Sequence, residues 1–217
     1  AYKWGLVILI GMLVALIGLF VTFIVNVLVH AKFDYMNQQM RSNQAWAYFS
    51  LLFISMSYAL GAGLCCWFEP CAAGSGIAEV KAYLNGINLH KYVRIRTLFA
   101  KVCGMCLSTS SGLPIGKEGP MIHAGSITGA ALSQGKTKLI GVDTSWTKYQ
   151  DLRNDRSKRD FVTFGAASGV AAAFSAPIGG ILFTLEEGAS FWNPTLTFRG
   201  FFAAMMTELT INIISGM

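Results

Sequence analysis

Glu118 is the residue whose type and position most directly indicate chemistry. It lies in the glycine-rich segment Ser110-Ser-Gly-Leu-Pro-Ile-Gly-Lys-Glu-Gly-Pro120, between two apolar stretches. An ionisable side chain inside a membrane is costly to bury and marks an ion or proton pathway by default. The neighbouring Lys117 could pair with Glu118 or add to a positive field, and the sequence leaves both alternatives open. The segment does not fit a phosphate loop, because its glycine spacing is one residue short and Glu follows the Lys.

The second carboxylate site is a pair, Glu186 and Glu187. The pair follows the uncharged run from Phe161 to Leu185. They stand at the C-terminal end of a predicted helix, where the helix dipole disfavours negative charge. We therefore expect one of them to face protein. Adjacent helix residues point about 100° apart, so the other carboxylate would line a path. Spacing alone does not say which carboxylate has which role.

The cysteines and histidines do not predict a metal centre or a catalytic pair. Cys103 and Cys106 have the spacing of zinc and redox motifs, but they lie in an apolar stretch without a histidine or a second cysteine pair nearby. Cysteines in such helices behave as small hydrophobic residues, so packing explains them better. The histidines are scattered along the chain: His30, His90 and His123. We expect no enzyme activity, no metal and no cofactor.

The elements that must position these residues are membrane helices. Of the 217 residues, 53% are hydrophobic and 13% are charged, whereas an ordinary soluble domain has about 25% charged residues. The formal net charge of +6 comes from 17 Lys and Arg against 11 Asp and Glu. In so apolar a chain, this excess indicates loop orientation rather than a nucleic-acid partner. We expect an integral membrane protein that contacts lipid and no nucleic acid.

An apolar run of about 20 residues is needed to cross the bilayer core. Three segments meet this requirement: Trp4–Val29, Asn43–Phe68 and Phe161–Leu185. Shorter, glycine-broken apolar pieces complete the pattern: Gly76–Ile87, Thr97–Gly116, Met121–Gln134 and Phe201–Ile214. Lipid tolerates a broken helix only where protein or a watery cavity surrounds the break. The predicted fold is therefore all-α and polytopic, with tilted and broken transmembrane helices.

Two glycine-rich breaks each lead into a new helix. The first is Glu69-Pro-Cys-Ala-Ala-Gly-Ser-Gly-Ile77, and the second ends at Pro120. Ser75 is predicted to be the N-cap of the first helix, and Pro120 fits the first turn of the second. Helix N-termini carry free N–H groups and partial positive charge, so both breaks would suit an anion. The alternative is that the glycines merely allow close helix packing, which is favoured for one break alone but less so for two.

Basic residues predict which connections face the cytoplasm. The first basic segment, 136–160, contains Lys136, Lys138, Lys148, Arg153, Arg156, Lys158 and Arg159, and the loop near His90 contains Lys91, Arg94 and Arg96. By the positive-inside rule, both connections face the cytoplasm. The segment Ala31–Gln44 has few basic residues and is predicted to be a loop facing the lumen or exterior.

Three motifs together resemble the CLC family of chloride channels and chloride/proton exchangers. They are Gly74-Ser-Gly-Ile77, Gly116-Lys-Glu-Gly-Pro120, and the segment 165–187 that ends in Leu185-Glu-Glu187. The resemblance covers nearly the whole chain. It implies that 1–217 is the N-terminal half of the family's transmembrane domain, the first of two inverted repeats. The stretches 116–123, 158–161 and 185–193 resemble the endosomal and lysosomal exchanger branch of the family.

The resemblance also implies roles for single residues. Ser75 corresponds to the serine whose hydroxyl helps to hold the central chloride, and Glu118 to the gating glutamate that competes with chloride and carries the proton. Glu187 corresponds to the inner proton-transfer glutamate near the cytoplasm, which channel members replace with an apolar residue. The other anion-binding residues implied are Gly74, Gly76, Ile77, Gly116, Lys117 and Gly119. Ala78 departs from the family's usual proline, and losing that fixed φ would loosen the helix start.

The implied function is chloride/proton antiport across an intracellular membrane, endosomal or lysosomal. A passive voltage-gated chloride channel of the same family is the alternative, and Glu187 favours the exchanger. The implied partners are chloride, protons and lipid, with a homodimer and an accessory subunit. From other classes, a non-transporting subunit of a larger assembly stays open, and a membrane enzyme is disfavoured. Because the chain ends at Met217 just after an apolar stretch, we expect it to be part of a longer polypeptide. The family's second repeat and regulatory domains have no counterpart in these 217 residues, and the sequence leaves their presence elsewhere open.

Overall fold

The computed structural model describes residues 2–40, 43–87, 89, 92–134, 138–139, 142–143, 154–188 and 192–216. Within these residues the chain is almost entirely helical. The helices are α1 (Tyr2–Met40), α2 (Gln44–Phe68), α3 (Ile77–Leu84), α4 (Ile95–Ser111), α5 (Glu118–Gln134), α6 (Asp155–Phe174), α7 (Pro177–Phe183) and α8 (Pro194–Ser215). A 3₁₀ turn at Pro70–Ala72 follows α2, and a π-helical turn at Thr184–Gly188 follows α7. The strands β1 (Lys138–Leu139) and β2 (Val142–Asp143) form one short antiparallel pair.

The first two predicted spans correspond to single helices, but the third does not. Among the described helices, α1 and α2 are long and apolar enough to cross a membrane by themselves. The run Phe161–Leu185, predicted as one span, is divided because α6 ends at Phe174 and α7 begins at Pro177. Between them Ser175 has a φ of 51°, a left-handed conformation that interrupts a helix. This part of the prediction was wrong, and the break shortens the helix that precedes Glu187.

The end of α1 and the start of α8 differ most from the predictions. The segment Ala31–Gln44 was predicted as a loop, but α1 continues through it to Met40. The last helix, predicted from Phe201, begins seven residues earlier, at Pro194. Asn193 caps it by accepting a hydrogen bond from the backbone N–H of Thr195, and proline is well suited to the first helical position. At α8, the helix therefore starts at its cap, several residues before its apolar part begins.

Helices α5 and α6 form the closest helix pair, and glycine makes this possible. A Cβ placed on Gly125 or Gly129 of α5 would overlap backbone atoms of Gly165 or Phe161 on α6. A Cβ on Gly169 would likewise stand 2.5 Å from the carbonyl oxygen of Met121. Small residues four apart let helix backbones approach closely inside a membrane. The pairing fixes α5, whose first residue is Glu118, against the buried helix α6.

The ends of the helices fall on two sides. Lys158 near the start of α6 lies over the ring of Tyr83 near the end of α3, with its Nζ 5.5 Å from the ring centroid. The two basic connections therefore meet the helices on the same side, as the charge pattern predicts. At the opposite side, Lys32 of α1 donates to the carbonyl of Ser110 at the end of α4. The basic residues Lys136, Lys148, Arg153 and Lys91, together with His90, lie outside the described residues.

Candidate functional site

Most of the predicted anion-binding residues line one cavity. Its volume is about 660 Å³, and it lies between α2, α4, the turn before α3 and the start of α5. The predicted residues in its lining are Gly74, Ser75, Ile77, Gly116, Glu118 and Gly119. Of the predicted set, Gly76, Lys117 and Glu187 do not line it. The cavity confirms that the two glycine-rich breaks face a common space.

Ser75 lies in a turn that glycine makes possible. Residues 72–77, which we call the Ser75 turn, include Gly74 with a φ of 72° and Gly76 with a φ of 87°. Both angles belong to the left-handed region that glycine adopts without steric penalty. The predicted N-cap role of Ser75 was wrong, because Gly76 is the N-cap of α3. The Ser75 hydroxyl lies 3.4 Å from the backbone nitrogen of Ile77, at the first turn of α3.

Two buried donors hold the carbonyl groups on either side of Ser75. Lys101 of α4 is 3% exposed, and its Nζ donates to the Gly74 carbonyl at 2.7 Å and to the Ala72 carbonyl at 3.1 Å. The hydroxyl of Tyr92, before α4, donates to the Gly76 carbonyl at 2.7 Å. Burial raises the pKa of Tyr92, so this hydroxyl keeps its proton. The sequence motifs pointed to neither donor.

Glu118 and Ser75 line the same cavity, where the two breaks converge. Glu118 is the first residue of α5, and its carboxylate folds back onto Gly116, where a Cβ would overlap it. A Cβ on Gly119, the next residue, would stand only 2.7 Å from the Cβ of Ser75. The start of α5 therefore packs directly on the Ser75 turn. A carboxylate in the first turn lies in the favourable part of the helix dipole field, so Glu118 occupies a position that also suits a free anion.

Two lysines lie in or next to the break that contains Glu118. Lys117 is partly buried, and among the described residues it forms no ion pair with Glu118. Lys32 is 5% exposed, although α1 is strongly apolar, and its Nζ donates to the carbonyls of Ser110 and Ser111 at 2.8 and 3.3 Å. These carbonyls end α4 just before the break that contains Glu118. A buried lysine in an apolar helix indicates a buried acceptor, but the charge pattern of Ala31–Gln44 predicted a loop at Lys32.

Glu187 lies outside the cavity, in the π-helical turn after α7. Its carboxylate forms an ion pair with Lys81 on the last turn of α3. The two side chains are 54% and 39% exposed, so solvent screens much of this attraction. Glu186 is exposed as well. The pairing with α3 therefore distinguishes Glu187 from its neighbour, which spacing alone could not do.

Comparison with known proteins identifies the relatives of the chain. The family described as voltage gated chloride channel matches residues 57–217. Human H(+)/Cl(-) exchange transporter 7 is 44% identical over 98% of this chain. Chloride channel protein D of Dictyostelium discoideum is 40% identical, also over 98% of this chain. The chain spans only 27% and 21% of these two relatives, so it corresponds to about a quarter of their length.

Solved structures show the same fold. A eukaryotic CLC transporter superposes with a TM-score of 0.86 at 23% identity, covering 97% of this chain and 38% of that one. A slow cyanobacterial Cl-/H+ antiporter superposes with a TM-score of 0.80 at 24% identity, covering all of this chain and 48% of that one. In both cases this chain matches less than half of the solved chain. This chain is a membrane protein that belongs to the voltage-gated chloride channel, or CLC, family.

Proposed function

We propose that the full-length protein exchanges chloride for protons across a membrane. The observation that carries the proposal is that Ser75 and Glu118 line one cavity, where the start of α5 packs on the turn before α3. Helix N-termini and a hydroxyl donor suit a small anion. A carboxylate at the same place competes with that anion when ionised and withdraws when protonated. Chloride movement and proton movement are thereby linked at Glu118.

A proton also needs a titratable group where its path leaves the anion path. Glu187 is the candidate, because it lies away from the cavity and is paired with Lys81 of α3. The same helix carries the Ser75 turn at its opposite end. In this proposal, chloride and protons share the region of Glu118 and separate before Glu187.

The names of the relatives support exchange over passive conduction. Human H(+)/Cl(-) exchange transporter 7 is named as an exchanger, and a structural relative is described as a Cl-/H+ antiporter. The Dictyostelium relatives are named chloride channel proteins, which keeps a passive channel as the competing function. A location in an intracellular membrane, a homodimer and an accessory subunit remain proposals that rest on the family resemblance.

The test is proton movement driven by chloride. We would reconstitute the full-length protein in liposomes, impose a chloride gradient, and record chloride flux and internal pH together. Exchange predicts proton movement opposite to chloride, which continues against a small proton gradient. Chloride flux without coupled proton movement would establish the channel alternative, and absence of both would refute transport.

A further inference from the structure

Ser75 is flanked by two residues that have little conformational preference of their own. Gly74 and Gly76 both have positive φ, and Ser75 itself is exposed to the cavity. Glycine loses more backbone freedom on folding than any other residue. A serine between two glycines therefore holds its hydroxyl in one place only if other groups fix the turn.

The turn is fixed on one side by Lys101 and on the other by Tyr92. The contact of Tyr92 can be removed without leaving its acceptor unpaired. The Gly76 carbonyl accepts two hydrogen bonds, from the Tyr92 hydroxyl at 2.7 Å and from the backbone N–H of Val80 at 3.0 Å. The Val80 bond belongs to the first turn of α3 and does not depend on Tyr92. Removing the hydroxyl therefore leaves the carbonyl with a partner and the helix with its first hydrogen bond.

Tyr92 is itself held against α5. Its ring stacks on His123, with the ring centroids 4.0 Å apart and the planes 8° apart. The Tyr92 carbonyl lies 3.3 Å from Nε2 of His123, which is fully buried. A Cβ on Gly76 would stand 2.8 Å from the Tyr92 hydroxyl oxygen and from Nδ1 of His123. Tyr92 thus joins the start of α3 to the helix that begins with Glu118.

We infer that Tyr92 is a positioning residue for the anion site, which sets the Ser75 hydroxyl by holding the Gly76 carbonyl. This inference rests on the proposed function in so far as Ser75 contacts chloride. The carbonyl of Gly76 carries partial negative charge next to that contact. A donor that keeps it in place leaves the hydroxyl of Ser75 and the N–H groups of α3 available to an anion.

The test compares two Tyr→Phe substitutions in the purified full-length protein. Tyr92→Phe keeps the ring that stacks on His123 and removes the hydroxyl. Tyr83→Phe is the matched control, because Tyr83 is also largely buried but its ring packs under Lys158, away from the cavity. Chloride and nitrate affinities are measured by isothermal titration, and folding by thermal unfolding. The loss of one neutral hydrogen bond predicts that chloride affinity falls about two- to tenfold in Tyr92→Phe.

Two further readouts separate positioning from general stability. We expect nitrate affinity to fall less than chloride affinity, because a looser turn discriminates less between anions. In a Ser75→Ala background, we expect Tyr92→Phe to have a much smaller effect, since both changes act on the same contact. Unchanged chloride affinity in Tyr92→Phe, an equal loss in Tyr83→Phe, or failure of Tyr92→Phe to fold would overturn the inference. A wild type that binds chloride but does not couple it to protons would refute only the proposed exchange.

Discussion

Replacing Gly119 by alanine tests whether the contact between α5 and the Ser75 turn shapes the anion site. The added Cβ would lie 2.7 Å from the Cβ of Ser75, 3.1 Å from its carbonyl oxygen and 3.2 Å from its Cα. Two of these atoms are backbone, so a side-chain rotation of Ser75 cannot relieve the overlap. Either α5 or the Ser75 turn must move.

The size of the effect follows from these distances. Carbon atoms in contact prefer a separation of about 3.5–4.0 Å, so the two segments must separate by roughly 0.8 Å or more. Helix α5 is held along its length by the glycine contacts with α6, whereas the Ser75 turn contains two glycines with positive φ. The turn should therefore yield first. Overpacking strain is about 1–3 kcal/mol. When all of this strain opposes chloride binding, it corresponds to a loss of chloride affinity of about five- to 150-fold.

The assay is chloride titration of the purified full-length protein, together with its thermal unfolding. Gly5→Ala is the control, because a Cβ at this helical position of α1 would have no atom within 4 Å. It should leave chloride affinity unchanged. A folded Gly119→Ala protein with wild-type chloride affinity would refute the reasoning, since the strain would then have been absorbed without displacing Ser75.

Three further predictions follow from the proposed roles. Glu118→Gln permanently resembles the protonated carboxyl group, so chloride flux in liposomes should persist while proton coupling and most pH dependence vanish. Coupling at the wild-type ratio would contradict the role of Glu118 as gate and proton carrier. Glu187→Val should abolish proton movement but keep chloride flux, whereas Glu186→Gln should disturb coupling less; retained proton movement in Glu187→Val would place the proton path elsewhere. Ser75→Pro removes a hydroxyl donor and should raise nitrate transport relative to chloride, measured as the ratio of the two fluxes; an unchanged ratio would argue against contact between Ser75 and the anion.

The sequence predicted the helices well where their apolar runs were long and uninterrupted. It failed where a short local feature outweighed hydropathy. The break at Ser175 divides an uncharged run, so hydropathy does not reveal it, although the following Pro177 is a possible indicator. At α8, Asn193 and Pro194 form a recognisable helix start, but they lie before the apolar part of the helix. Helix caps and prolines therefore indicate the limits of α6 and α8. They do not indicate the left-handed conformation of Ser175.

The two glycine-rich breaks illustrate what a motif can and cannot predict. It could be predicted that both breaks lead into helices and face the same space, because glycine, proline and isolated polar residues are local features. The motif could not show that Gly76 rather than Ser75 is the N-cap of α3, since this depends on backbone angles. The pairing of Glu187 with Lys81 was also not predictable, because it requires the relative placement of α3 and the turn after α7.

The groups that hold the site are harder to find in a sequence than the groups that form it. Lys101 and Tyr92 act on carbonyl groups, which every residue has, so no side chain in the Ser75 turn signals that a donor is needed. What does signal it is the pair of glycines around Ser75, because such a turn has too much freedom to keep a hydroxyl in one position. A buried donor elsewhere in the chain is then a physical requirement, even though its identity depends on the fold. Lys32 is likewise a buried donor that acts on carbonyl groups. The carbonyls at the end of α4 explain why it is buried in an apolar helix.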